Sequence, residues 1–163
     1  QIESLNSYIF ENFSSIKPSI MKTLIKLYFV ISIGYYVLSK TRRAIENVKQ
    51  AITYQKEHIN SLVLTGATSA KSQSTRKVRA GTSDPDYFGN QAKENFEREY
   101  DFLVRMFWLK ADVYEDKRSF NKAIDTYNDL LAMIDEKYGR INQAFIESNK
   151  RKGLLILKRS KFS

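Results

Sequence analysis

The chain contains no cysteine, one histidine, two prolines and six glycines in 163 residues. Without cysteine there is no disulfide framework and no thiolate metal site. The lone His58 leaves no histidine-rich metal centre and no histidine-based triad elsewhere. So few helix breakers over this length favour long helices over many short strands. Long apolar runs are scarce too. The one unbroken stretch, Leu27–Leu38, is twelve residues, and Lys22 and Lys26 interrupt what precedes it. A spanning helix needs about 20 apolar residues, so the expectation is a buried helix covered on most sides. Phosphate-cradling G-x-x-x-x-G-K-[ST], G-x-G-x-x-G and H-E-x-x-H are all missing. The expectation is therefore a non-enzymatic protein that needs no cofactor and no metal.

What is present is a soluble, globular composition: 42% hydrophobic and 28% charged residues, long enough for one domain. The cysteine-free composition fits a reducing, intracellular compartment, cytoplasm or nucleus. A chain that begins with Gln is expected to be a fragment or a processed product. Net charge is +9, and it is segregated. Residues 20–93 carry twelve Lys/Arg against four Asp/Glu, residues 94–139 seven against eleven, and residues 140–163 seven against one. Two basic stretches flanking an acidic one point to an acidic partner, or to solvated lysine-rich helices.

Apolar spacing predicts an all-α chain of five to six helices. Ile2, Leu5, Ile9, Phe10 and Phe13 mark a short amphipathic helix over 2–14, ended by Lys17-Pro18. The apolar helix 19–39 follows. Residues 42–59 place Ala44, Ile45, Val48, Ala51, Ile52 and Ile59 in one stripe, with His58 at the helix end. Ser, Thr, Gly and Ala dominate 64–92, which reads as a long flexible loop, with a turn at Ser83-Asp84-Pro85 and a helix start near Asn90–Lys93. Residues 93–115 carry Phe96, Tyr100, Leu103, Phe107, Ala111 and Tyr114, with Glu94, Glu97 and Glu99 near the start, where the helix dipole favours acid. Ser119 reads as the cap of helix 120–138, and Gly139 as its stop. A last helix, about 141–160, carries Ile141, Phe145, Leu154, Leu155 and Leu157.

Two of these helix pairs superimpose at an offset of 79 residues. Tyr28 then meets Phe107, Ser32 meets Ala111, Tyr35 meets Tyr114, Ala44 meets Ala123, Val48 meets Tyr127 and Ala51 meets Leu130. Small residues let helices approach closely, and the aromatics fill the space between pairs. The pattern resembles the tetratricopeptide repeat over residues 25–58 and 104–137, in degenerate form: Lys110 stands where Leu is usual, and no proline closes either unit. The resemblance implies antiparallel helix pairs in a short solenoid or right-handed bundle. It also implies binding of another protein, by hetero-assembly or self-association, as a scaffold subunit of a larger complex.

Some members of that family clamp a terminal carboxylate with Lys and Asn. Here the equivalent positions hold Phe29 and Ile33, then Trp108 and Asp112, so that clamp is absent. The resemblance instead implies an apolar or acidic groove of Phe29, Ile33 and Tyr36, then Arg105, Trp108, Asp112 and Glu115. Trp108 reads either as an interface anchor or as core. Asp112, Glu115 and Asp116 read as a solvated helix face ahead of an acid–base or cation site. The alternative reading is a basic helical nucleic-acid binder. It would use Arg42 and Arg43 beside Lys40, the loop cluster Arg76, Lys77 and Arg79, and Lys150, Arg151, Lys152, Lys158 and Arg159 beside Lys161. The last group also suits an amphipathic helix at a membrane surface, a lesser reading.

Overall fold

The computed structural model describes residues 18–73 and 85–162, and the side chains of 18–65 and 89–162. Among the described residues there are five helices and no strand. They are α1 (Pro18–Val37), α2 (Thr41–Gln73), α3 (Pro85–Asp116), α4 (Phe120–Tyr138) and α5 (Gln143–Lys161). Each packs chiefly on the next in sequence. Lesser contacts join α1 to α3 and α3 to α5, so these three lie side by side.

The expected stripes form the core. Tyr28 and Phe107, Ser32 and Ala111, Ala44 and Ala123, Val48 and Tyr127, and Ala51 and Leu130 are all buried. Ser32 and Ala44 have no exposed surface, and the Ser32 hydroxyl donates to the Ala44 carbonyl at 2.7 Å across the α1–α2 pair. Tyr54, Leu103, Met106, Val113 and Ile134 complete the interior between pairs.

The 79-residue offset also holds in the turns. Ser39 and Arg118 have φ of 56° and 57°. The Ser39 N–H donates to Tyr36 O at 2.9 Å and the Lys40 N–H to Tyr35 O at 2.8 Å. In the second pair Arg118 donates to Glu115 O at 2.8 Å and Ser119 to Tyr114 O at 2.9 Å. This double bond across a left-handed residue is the Schellman closure. It is built twice here without the usual glycine.

Several expectations change. The segment 64–92 is not one loop. α2 runs to Gln73 and α3 starts at Pro85, so residues 74–84, including Arg76, Lys77 and Arg79, lie outside the described residues. A helix already nucleated by packing extends at little cost through Thr, Ala, Ser and Lys, and proline suits a first helical position. Two placements change with those boundaries: His58 is inside α2 rather than at its end, and Glu94–Glu99 stand well past the first turn of α3, beyond the reach of the helix dipole. Ser119 occupies the cap position of α4, but its side chain makes no cap bond, and its N–H instead serves the preceding closure. Asn142 does cap α5, accepting from the Ala144 N–H at 2.8 Å. Gly139 ends α4 as expected, at φ 76° and ψ 178°, a region that glycine alone adopts freely. On α5 only Leu155 of the expected leucines is buried. Leu154, Leu157 and Ile141 are exposed, Ile141 at 92%. The predicted helix at 2–14 lies outside the described residues.

α1 departs most from expectation. It was predicted to be covered on most sides, yet only Met21, Ile25, Tyr28 and Ser32 are buried. Among the described residues it is the one helix long and apolar enough to cross a membrane by length and composition. Among the described residues, cover on α1 comes from a single side.

Two measurements check this account by chemical unfolding. Leu130→Ala removes a side chain with no exposed surface and is expected to cost about 2–5 kcal/mol. Ser39→Gly relieves a left-handed L-residue and is expected to add about 1 kcal/mol.

Candidate functional site

α3 is the middle of the three side-by-side helices, so its exposed strip is bordered by α1 and α5. Arg105 and Asp112 are seven residues apart on that strip, with Leu109 between them and Phe102 one turn earlier. Phe29 of α1 meets Phe102 edge-to-face at 5.2 Å. Lys26, Phe29, Val30, Arg98, Glu99 and Phe102 line an open depression of about 430 Å³ between α1 and α3. Ile33 is 38% exposed, and Arg105 is exposed.

Tyr36 links the two helix pairs. The Asp116 carboxylate beside its hydroxyl, with partial burial and the charges of Asp116, Asp112 and Glu115, pushes the phenol up to about 12. Asp112 lies deeper. Burial raises its carboxyl to about 6; Arg151 opposes the rise, while Glu115 and Asp116 add to it. Tyr127, at the back, is likewise raised to about 12, chiefly by burial and then by Asp112. Three acids thus share this end of α3. Asp112, read from sequence as part of a solvated face, is half-buried.

Trp108 is neither free nor fully core. Its indole N–H donates to Ser148 Oγ at 3.0 Å, and the Arg151 guanidinium sits 4.1 Å from a ring centroid. α5 therefore covers the face on which an incoming anchor would have met it. Glu115 is engaged from the same side by Lys158 at 2.6 Å.

A second polar group is buried between α1, α2 and α3. Gln55 Nε2 donates to Glu99 O at 2.8 Å and to Glu99 Oε2 at 2.9 Å, and Lys22 pairs with Glu99 Oε1 at 3.0 Å. Burial pushes the Glu99 carboxyl up, but Gln55, Lys22 and His58 outweigh it, and the net shift is downward. His58 is 3% exposed, with Nε2 3.9 Å from Glu99 Oε1 and no hydrogen-bond partner among the described residues. Burial lowers its pKa, against the pull of Glu99. A neutral, positioned imidazole beside one carboxylate lacks a nucleophile or substrate-accessible face. Among the described residues no group of three or more His, Cys, Asp or Glu is placed to hold a metal ion.

The basic residues divide by what they touch. Arg151, Lys158 and Arg159 turn onto the protein, Arg159 through Asn121 Oδ1 at 2.9 Å. Arg42 pairs with Glu46 at 3.1 Å, and Arg43 lies over the Tyr35 ring at 5.6 Å. Lys150 is exposed and Lys152 half-buried.

Sequence reasoning missed Phe102, Leu109, Gln55 and the Lys22–Glu99 pair. The i, i+7 spacing of Phe102 and Leu109 was a readable signal for the first two. Nothing local signals a pairing between residues 22 and 99. No family model, curated protein or solved structure matches this chain.

The two titrating sites act on stability with opposite sign. His58 stays neutral in the fold and takes a proton when unfolded, so its contribution is intact above about pH 6.5 and lost as pH falls below that. Asp112 binds its proton more tightly in the fold, so stability falls as pH rises from about 4 to about 6. Urea unfolding across pH should therefore show a flatter acid decline for His58→Gln. Asp112→Asn should gain stability at pH 7 and not at pH 4.

Proposed function

We propose that the chain is a non-enzymatic protein-binding module of tetratricopeptide-like helix pairs, acting as a subunit of a larger complex. Its ligand is a segment of another protein that combines apolar and basic side chains. One observation carries the reading. Across the seam between the pairs, Phe29 of α1 meets Phe102 of α3 beside the apolar depression, and further along the same seam Tyr36 faces the charges of Asp116, Asp112 and Glu115. An apolar side chain suits the depression. A Lys or Arg suits the acids, because desolvation makes the Asp112 charge expensive until a cation joins it. The repeat register supports the family reading: buried positions and turn bonds recur 79 residues apart. Arg105 sets polarity along the strip, and Trp108 contributes through Arg151 and Ser148, which wall the α5 side.

The nucleic-acid alternative is less favoured. Arg151, Lys158 and Arg159 already have protein partners, whereas phosphate binding needs several free cations on one face.

Panning a randomised-peptide display library on the protein tests the reading. Enriched peptides should carry Lys or Arg near apolar residues. By titration calorimetry, Asp112→Lys and Phe102→Ala should each weaken them by about tenfold or more. No enrichment, together with salt-dependent binding of a mixed oligonucleotide pool, would favour the alternative instead.

A further inference from the structure

The seam between α1 and α3 changes sign along its length. Lys26 of α1 and Arg98 of α3 stand on the rim of the depression whose floor is Phe29 and Phe102. Arg105 lies one turn beyond Phe102 on the same strip of α3. All three are exposed, and among the described residues none is in a salt bridge. The acids of this stretch do not neutralise them. Glu99 is held by Lys22 and Gln55, and the charges of Glu97 and Asp101 fall on Tyr138 of α4. Glu94, one turn before Arg98, does not line the depression. An anionic group over Phe29 and Phe102 therefore meets uncommitted positive charge. Farther along, the sign reverses. Glu115 is paired with Lys158 and Asp112 is half-buried, whereas Asp116 is exposed and faces Tyr36. From Arg105 to Asp116 a helix rises about 16 Å, the length of about five residues of extended chain.

We propose that this seam reads its peptide ligand in a fixed charge order. An acidic residue sits among Lys26, Arg98 and Arg105, its apolar neighbour fills the depression between them, and a basic residue about five positions away reaches Asp116 and Asp112. The inference rests on the peptide-binding reading and adds to it the acid, the order and the spacing. The order is enforced by repulsion as well as attraction. A ligand with its charges exchanged would set a cation among three cations and a carboxylate against Asp116. Free cations on one face also suit phosphate. A nucleic-acid strand is anionic throughout its length, however, and along this seam it would run from Arg105 onto Asp112 and Asp116. The change of sign, with an aromatic floor on the cationic side, selects a peptide that carries both charges.

The test pans randomised peptides, displayed between fixed flanks so that no free terminus enters the seam, on the wild type and on a double variant, Lys26→Glu with Arg98→Glu. Both substitutions alter exposed side chains, and the helical circular dichroism should be unchanged. Wild-type binders should carry Asp or Glu next to an apolar residue, with Lys or Arg about five positions away. Binders of the double variant should keep that base and replace the acid by Lys or Arg. In titration calorimetry, an enriched peptide whose acid is changed to Lys should bind the wild type about tenfold or more weakly and recover on the double variant. A variant that merely misfolds cannot produce that recovery. Binders with apolar and basic residues but no acid, or with the two charges at random spacing, would overturn the charge order and leave the peptide-binding reading standing. The same sequences selected by both proteins would overturn it too. No enrichment on either protein would sink both readings. A mixed oligonucleotide pool that binds the wild type and is lost on the double variant would assign the cations to phosphate and overturn the proposal equally.

Discussion

The fold depends on how closely paired helices approach at their smallest residues. Ser32 and Ala44 in one pair, and Ala111 and Ala123 in the other, are essentially without exposed surface. At 32 the approach is close enough for a side-chain hydroxyl to satisfy a backbone carbonyl of the neighbouring helix. Larger side chains there would push the helices apart. Val48, Tyr127, Ala51 and Leu130 would then lose the partners that bury them, since interiors at native density have no slack. The two Schellman turns hold each pair in the register that brings the small residues together.

That constraint also explains the polar cluster under α1. Helices held this close bury Gln55 and His58 and leave Glu99 only its edge toward the depression. Gln55 therefore satisfies both a main-chain oxygen and the carboxylate of the same residue, and Lys22 supplies the charge. His58 is left with one nitrogen unmatched, a cost that low local dielectric makes larger. The acids at the other end of α3 are answered from α5 instead, Glu115 by Lys158 and Asp112 by the charge of Arg151.

Most of the helical architecture was legible because apolar residues recur at 3.6-residue spacing. α4 matches its predicted span residue for residue, and its stripe of Ala123, Ile124, Tyr127 and Leu130 is the buried face. The extension of α2 and the early start of α3 were not legible. Composition there carries no apolar face, and helix propagates from packing set elsewhere. The 79-residue correspondence of buried positions was legible in side chains, and that of the turns was not, because Ser39 and Arg118 are unusual left-handed residues. At the candidate site, the register proposes Tyr36 and Asp112, whereas the approach of Arg151 to Asp112 and of Phe102 to Phe29 depends on which helices lie side by side. The apolar run of α1 was read as a reason for burial, yet its outer half is open. Periodicity reports which residues are apolar, and it does not report how many neighbours the fold supplies.

Because each helix rests chiefly on the next in sequence, the molecule is organised along a line rather than around a centre. Loosening at one end need not reach the other. α1 is held by α2 and a little by α3, while α4 and α5 are secured by one another and by α3. Amide hydrogens should therefore exchange in a gradient, slowest near the Leu103–Leu130 interior and fastest toward the two ends. A partner that clasps α1 would brace one end of that line, and its grip would be registered locally before it altered the stability of the whole.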